Sequence, residues 1–158
     1  MSSKAHPNLQ ITHLFKHPRF IEPVAQMIYN EFWRGVVDGM SKDDLIAHLH
    51  TATDAARIPL CLIALQNKKL VGTVNLIEND DAARSHLRPW LAAMVVCEDQ
   101  RNCGIGTKLV NQLLNEARWM NIPALYFGTD GPGFYERIGA IEHEKLRADF
   151  CIMKFTLT

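Results

Sequence analysis

The chain has 158 residues, 47% apolar and 22% charged, with 17 basic against 17 acidic side chains and zero formal net charge. That length and balance suit one globular domain, residues 1–158, with a sizeable core. Neutrality argues against a general grip on nucleic acid or an anionic membrane, and no apolar run reaches the length of a membrane span.

Residues 1–8, Met-Ser-Ser-Lys-Ala-His-Pro-Asn, read as a loose leader without the apolar core of a signal peptide, which predicts a cytoplasmic location. Alternation from Gln10 to Phe15 predicts a first strand. Ile21, Val24, Ala25, Ile28 and Phe32 then form a helical stripe that ends near Trp33. Arg34 to Met40 reads as a loop, and Ser41-Lys-Asp-Asp44 has the spacing of a capping box ahead of a short helix carrying Leu45, Ile46 and Leu49. His48 and His50 are two residues apart, share no helical face and read as surface histidines, not as a metal site. Pro59–Leu65 and Lys69–Ile77 predict an antiparallel hairpin across Gln66-Asn67-Lys68. Glu78 to Arg88 is a polar connection.

Pro89 opens an apolar run from Trp90 to Cys97, the size of a buried strand. A polar turn follows and ends in Gly104-Ile105-Gly106. Ile105, Leu109, Val110, Leu113, Leu114 and Ala117 then lie on one helical face. Strand, glycine loop and helix N-terminus in that order aim backbone N–H groups and a positive helix end at one point, which suits a phosphate or pyrophosphate. After Asn121-Ile-Pro123, Ala124–Phe127 is a short strand. Thr129-Asp-Gly-Pro132 starts a helix that carries Phe134, Tyr135 and Ile138 and stops at Gly139. Ile141–Leu146 and Asp149–Leu157 are the last strands. Cys61, Cys97 and Cys151 fall in apolar, strand-like runs and read as small core residues of a reducing compartment. Cys103 sits in the glycine loop, where a filler role outranks a redox one.

Arg101-Asn-Cys-Gly-Ile-Gly106 fits the pattern Gln/Arg-x-x-Gly-x-Gly/Ala and resembles the acetyl-CoA pyrophosphate loop of the GNAT superfamily of acyl-CoA N-acyltransferases. Phe134-Tyr-Glu-Arg-Ile-Gly139 resembles the Phe-Tyr-x-x-x-Gly segment of many members, although Ala140 stands where an aromatic usually follows. The resemblance is strongest from about residue 60 onward. It implies an α/β fold, a twisted mixed sheet of about seven strands with about four helices on both faces, splayed between its fourth and fifth strands. It also implies acetyl-CoA as cofactor. Arg101, Asn102, Cys103, Gly104, Ile105, Gly106, Thr107 and Lys108 would lie at the pyrophosphate, Met94, Val95 and Val96 along the pantetheine, and Phe134 beside the cofactor.

The same resemblance places the Tyr135 hydroxyl near the cofactor sulfur. A phenol of pKa ~10 there can hydrogen-bond or protonate a leaving thiolate. A lysine-like amine of pKa ~10.4 is about one part in a thousand neutral at pH 7, so a base helps, and Glu78, ending the third strand, is the first candidate. A backbone N–H near Met94 would serve the oxyanion. Direct attack by an amine in a ternary complex fits this residue set, since Cys103 would lie away from the thioester. The acceptor is a small-molecule amine or a peptide or protein amine. Asp38, Asp80 and Asp81 suit a cation, whereas Arg34, Arg84 and Arg88 suit a carboxylate or acidic peptide. A homodimer is the general default for a soluble domain. Two alternatives stay open. One is a non-catalytic acyl-CoA sensor on the same fold. The other is a dinucleotide-binding oxidoreductase with Asp130 on the ribose, which Leu109 in place of a third glycine disfavours.

Overall fold

A computed structural model describes residues 8–158. The expected leader lies outside the described residues except for Asn8, whose carbonyl accepts the Asn67 N–H at 3.2 Å.

Strand β2 (Leu60–Gln66) is buried along nearly its whole length, which requires cover on both faces. Leu60, Leu62 and Ala64 pack into one apolar cluster and Cys61, Ile63 and Leu65 into another. The second cluster is completed by α1 (Ile21–Ile28) and α2 (Lys42–Leu49) through Val24, Ala25, Ile28, Leu45 and Leu49. The first is completed by α3 (Ile105–Trp119), whose stripe Ile105, Leu109, Val110, Leu113, Leu114 and Ala117 is wholly buried, with Phe134 and Tyr135 of α4 (Pro132–Glu136) at its margin.

The remaining strands are β1 (Leu9–His13), β3 (Lys69–Ile77), β4 (Trp90–Val96), β5 (Ala124–Thr129), β6 (Ile141–Arg147) and β7 (Phe150–Thr156). They form one seven-stranded sheet in the order β1-β2-β3-β4-β5-β7-β6. Only β4 and β5 run parallel, and they register at a single pair, Trp90 with Tyr126, so the sheet splays beyond that point. A dinucleotide-binding sheet is built from repeated parallel strands, and this topology departs from it. Among the described residues no helix is long and apolar enough to cross a membrane.

Several local expectations change. The first strand stops at His13 because His13 and Leu14 are both buried, which strict alternation forbids. The chain therefore bends into a 3-10 turn over Leu14–Lys16. The first helix does not carry its stripe to Phe32. After Ile28 it opens into a π turn, Tyr29–Trp33, and Phe32 is 43% exposed. The extra residue per turn rotates everything beyond Ile28 off the 3.6-residue stripe. Strand β5 runs on to Thr129, with Gly128 where a Cβ would lie 2.7 Å from the Phe150 ring. Helix α4 is short, ending at Glu136, and Gly139 turns the chain at φ 112°. Thr129 accepts the Gly131 N–H at 3.0 Å, so it closes the turn ahead of the helix rather than capping it. Cys97 is half-buried just past β4 instead of a core residue within it. The capping box of α2 forms as the spacing predicts: Ser41 Oγ accepts the Asp44 N–H and the Asp44 carboxylate accepts the Ser41 N–H, both at 3.0 Å. The β2–β3 hairpin closes through Asn67 and Lys68, at φ 52° and 68°, the geometry of a two-residue primed turn.

Candidate anion and acyl-carrier site

The site begins with a bulge. Thr73 pairs with Val95 and Asn75 with Ala92, which leaves Ala93 and Met94 facing Val74 alone; Ala93 takes φ 50°. Past β4 a 3-10 turn, Glu98–Gln100, leads into the loop. Asn102 and Gly104 have φ of 61° and 85°, and Gly104 is the N-cap of α3 with no side chain capping it. The Lys108 N–H closes the first helical bond onto the Gly104 carbonyl at 3.1 Å. The N–H groups ahead of it, those of Ile105, Gly106 and Thr107, therefore have no intrahelical acceptor. They face outward with the positive end of a 15-residue helix behind them. A Cβ at Gly106 would stand 3.3 Å from Phe134 Cζ and 3.6 Å from the Met94 thioether, so a glycine keeps this approach open.

These groups open onto a cavity of about 670 Å³. Of the residues expected at a cofactor, Met94, Val95, Val96, Arg101, Asn102, Gly104, Ile105, Gly106, Thr107 and Phe134 line it. Cys103 and Lys108 do not. Cys103 is half-buried with its Sγ 3.4 Å from the Arg101 carbonyl, and the Lys108 side chain is exposed on the second turn of α3. Glu31, Gln100, Arg137 and Ile138 join the lining without having been anticipated. Arg137 and Ile138 follow Phe134 at i+3 and i+4, a helical spacing that was legible in the sequence. Glu31 was not legible, because it lies on the π turn. Arg101 is fixed by two acceptors: its Nε donates to the Val96 carbonyl at 3.0 Å and its Nη2 lies 3.4 Å from Glu31 Oε2.

The two residues expected to do acid–base work lie elsewhere. Tyr135 is not on the cavity wall; its ring packs 4.4 Å from that of Phe127 and 4.9 Å from that of Phe134. Burial, with the Asp130 charge as the lesser cause, pushes its hydroxyl up to about 12. Glu78 is exposed one residue past β3 and does not line the cavity.

On the α1/α2 face the apolar cover is interrupted beside the bulge. One cluster ends with Val95 and Ala93, and another starts with Trp90, Leu87 and Ile152. Between them Asn75 is buried, its Nδ2 without a hydrogen-bond partner among the described residues, opposite a half-buried Ala92.

The donor set suits a diphosphate: three helix-end N–H groups with a guanidinium beside them. The apolar wall of Met94, Val96, Ile105, Phe134 and Ile138 suits a thin, extended arm reaching toward the splay.

No curated protein matches the sequence. Solved structures share the fold. One is an acetyltransferase of the GNAT family from Staphylococcus aureus Mu50, 21% identical, with a TM-score of 0.70 over 95% of this chain and 99% of that one. Another is an aminoglycoside 6'-N-acetyltransferase complexed with coenzyme A, 18% identical, with a TM-score of 0.72 over 94% and 97%. A third is the PaiA N-acetyltransferase from Thermoplasma acidophilum in complex with coenzyme A, 15% identical, with a TM-score of 0.70 over 94% and 98%. The model of the acetyltransferase (GNAT) family matches residues 25–140, most of the chain, and the chain belongs to that family.

Proposed function

We propose that the protein is an N-acetyltransferase that transfers the acetyl group of acetyl-CoA to a primary amine by direct attack within a ternary complex. The observation that carries this reading is the uncapped N-terminus of α3, with Gly104 and Gly106, opening beside Arg101 onto a cavity that continues along the bulged β4. The N–H groups of Ile105, Gly106 and Thr107 and the Arg101 guanidinium would hold the diphosphate. Met94, Val95 and Val96 would hold the pantetheine arm, which would lie along their ladder groups left unpaired on the β5 side, in place of the strand that the splay removes. When bound, acetyl-CoA supplies an activated thioester.

The chain's own groups then position and move protons. A backbone N–H near Met94 faces the carbonyl oxygen that gains charge. Burial pushes the Tyr135 hydroxyl up to about 12, which makes it a weaker acid than a free phenol and a poor match for full proton transfer to a thiolate. It therefore acts as a hydrogen-bond donor to a leaving thiolate, a contact that requires a rotation away from Phe127. Glu78, solvent-exposed, serves as base only through a water chain.

A cationic acceptor is the class we take forward. Of the three arginines that would suit an anionic acceptor, Arg84 is neutralised by Glu144 and Asp81, whereas Arg88 and Arg34 each donate one hydrogen bond to a neutral acceptor, the Ser85 carbonyl and Asn30. Asp38 and Asp80 have no hydrogen bond from the protein among the described residues.

A second reading, a non-catalytic acyl-CoA-binding module, is favoured by one observation: Tyr135 packs on Phe127 rather than on the cavity wall. Thermal unfolding tests the common part. Acetyl-CoA at a hundred times its dissociation constant adds ~2.7 kcal/mol, a rise of several degrees, whereas NAD adds nothing. No rise with acetyl-CoA sinks both readings. Thiol release with a panel of cationic amines then separates enzyme from sensor.

A further inference from the structure

Glu31 is an anion on the wall of a cavity built for anions. It reaches that wall because α1 does not continue as an α-helix: the π turn Tyr29–Trp33 swings Phe32 out to solvent and brings Glu31 to the rim. There its Oε2 lies 3.4 Å from Nη2 of Arg101, a cation of the same cavity wall. Arg101 is also held by its Nε, which donates to the Val96 carbonyl at 3.0 Å. Nη2, one of the two guanidinium amino groups that could meet a phosphate, is thus the one that Glu31 already faces.

We propose that Glu31 is a specificity-determining residue of the cavity: a resident carboxylate that an incoming diphosphate displaces from Arg101. Both side chains are close to half exposed, at 44% and 47%, so their pairing is weak and acts as a gate rather than a lock. Two effects follow from one charge. In the free protein the carboxylate holds Arg101 in place and neutralises it. On binding, the carboxylate stays near the phosphates and repels them, which lowers affinity for ligands that carry the diphosphate and leaves ligands that lack it unaffected. This rests on the cavity being the coenzyme A site.

The test is calorimetric titration of wild type and Glu31→Gln with coenzyme A and with pantetheine, at 25 mM and at about 250 mM salt. Removing one charge within a few ångströms of the phosphates should tighten coenzyme A binding roughly 5- to 20-fold at low salt, and screening should shrink that gain to about twofold or less at high salt. Pantetheine affinity should be unchanged. The substitution is isosteric and exposed, so the ligand-free melting temperature serves as a check that the fold is intact. Equal or weaker coenzyme A binding by the variant, or an equal gain with pantetheine, overturns the gate. A wild type that does not bind coenzyme A at all overturns instead the reading on which the gate rests, so the two failures are distinct.

Discussion

His13 Nε2 donates to Glu116 Oε1 at 2.7 Å, joining the edge strand β1 to the last turn of α3 across 103 residues of sequence. The imidazole is 6% exposed and its Nδ1 has no hydrogen-bond partner among the described residues. A buried ring left with neither nitrogen paired costs about 1–3 kcal/mol. Glu116→Ala should therefore destabilise the domain by that amount, whereas Glu116→Gln, which keeps an acceptor oxygen, should cost less than half as much. Urea unfolding of the two variants reads the difference. Equal losses would assign the effect to the packing of the Glu116 stem and not to the hydrogen bond.

How much of this molecule was legible in its sequence depended on whether local pattern or long-range contact decided each feature. The stripe of α3, the capping box at Ser41 and the glycine loop are local: spacing and backbone conformation fix them, and they stand where the sequence put them. The His13–Glu116 bond and the Leu14 bend are not local, since His13 read as an alternating strand residue and Glu116 as a helix surface charge. The π turn was invisible for a related reason. A pattern read at 3.6 residues per turn carries Phe32 onto the buried face, and nothing in the residues announces an inserted one. That single insertion also hid Glu31 from the list of cavity residues. Tyr135 shows the converse limit. Motif spacing gave its place on α4, but the choice between the Phe127 ring and the cavity is made by tertiary packing.

Gly106 separates stability from ligand binding. A methyl group there meets Phe134 Cζ at 3.3 Å, and that ring is half-buried at the cavity, so it can give by a few tenths of an ångström. Replacing glycine inside the first turn of a helix also gains about 0.5–1 kcal/mol in backbone entropy. Gly106→Ala should thus fold with stability within about 1 kcal/mol of wild type. The pattern Gln/Arg-x-x-Gly-x-Gly/Ala admits alanine at this position, so its coenzyme A affinity should stay within about threefold of wild type, whereas the branched side chain of Gly106→Val should weaken binding at least ~10-fold by filling the approach to the backbone. Calorimetry paired with thermal unfolding checks both variants, and a Gly106→Val protein that binds normally would place the diphosphate elsewhere.

The β3–β4 connection is held down by Arg84. Its guanidinium meets Glu144 on β6 through two bonds, at 2.9 and 2.6 Å, and Asp81 at 2.9 Å. The Arg84 partnership, ahead of all opposing causes, holds the Glu144 carboxyl below its usual value, so this tie is present above the unfolded-state value and is lost as pH falls through the folded one. Exposed ion pairs contribute little to global stability, so Glu144→Gln should leave the melting temperature essentially unchanged. Its effect should be local: amides of residues 79–88 should exchange faster in the variant at neutral pH, and the wild type should approach the variant in acid. Uniform exchange in both proteins would show that Asn79, which donates to the Arg84 and Leu87 carbonyls at 3.0 and 3.1 Å, suffices to order the loop.

Tyr135 offers a test that separates a packing role from a chemical one. Burial first, and Asp130 second, raise its hydroxyl from an ordinary value of 10 to about 12. Between those values the folded protein keeps a proton that the unfolded chain has released. The stability linked to this group is therefore complete below pH ~10 and is lost as pH rises through ~12. Relative to wild type, Tyr135→Phe should lose less stability across that window, and the ring contacts with Phe127 and Phe134 should keep the variant folded at neutral pH. On the proposed chemistry its coenzyme A affinity stays at the wild-type level while kcat falls by roughly 10²-fold, the size of a lost hydrogen bond to charge that develops in the transition state. A variant with wild-type kcat would leave Tyr135 as a packing residue.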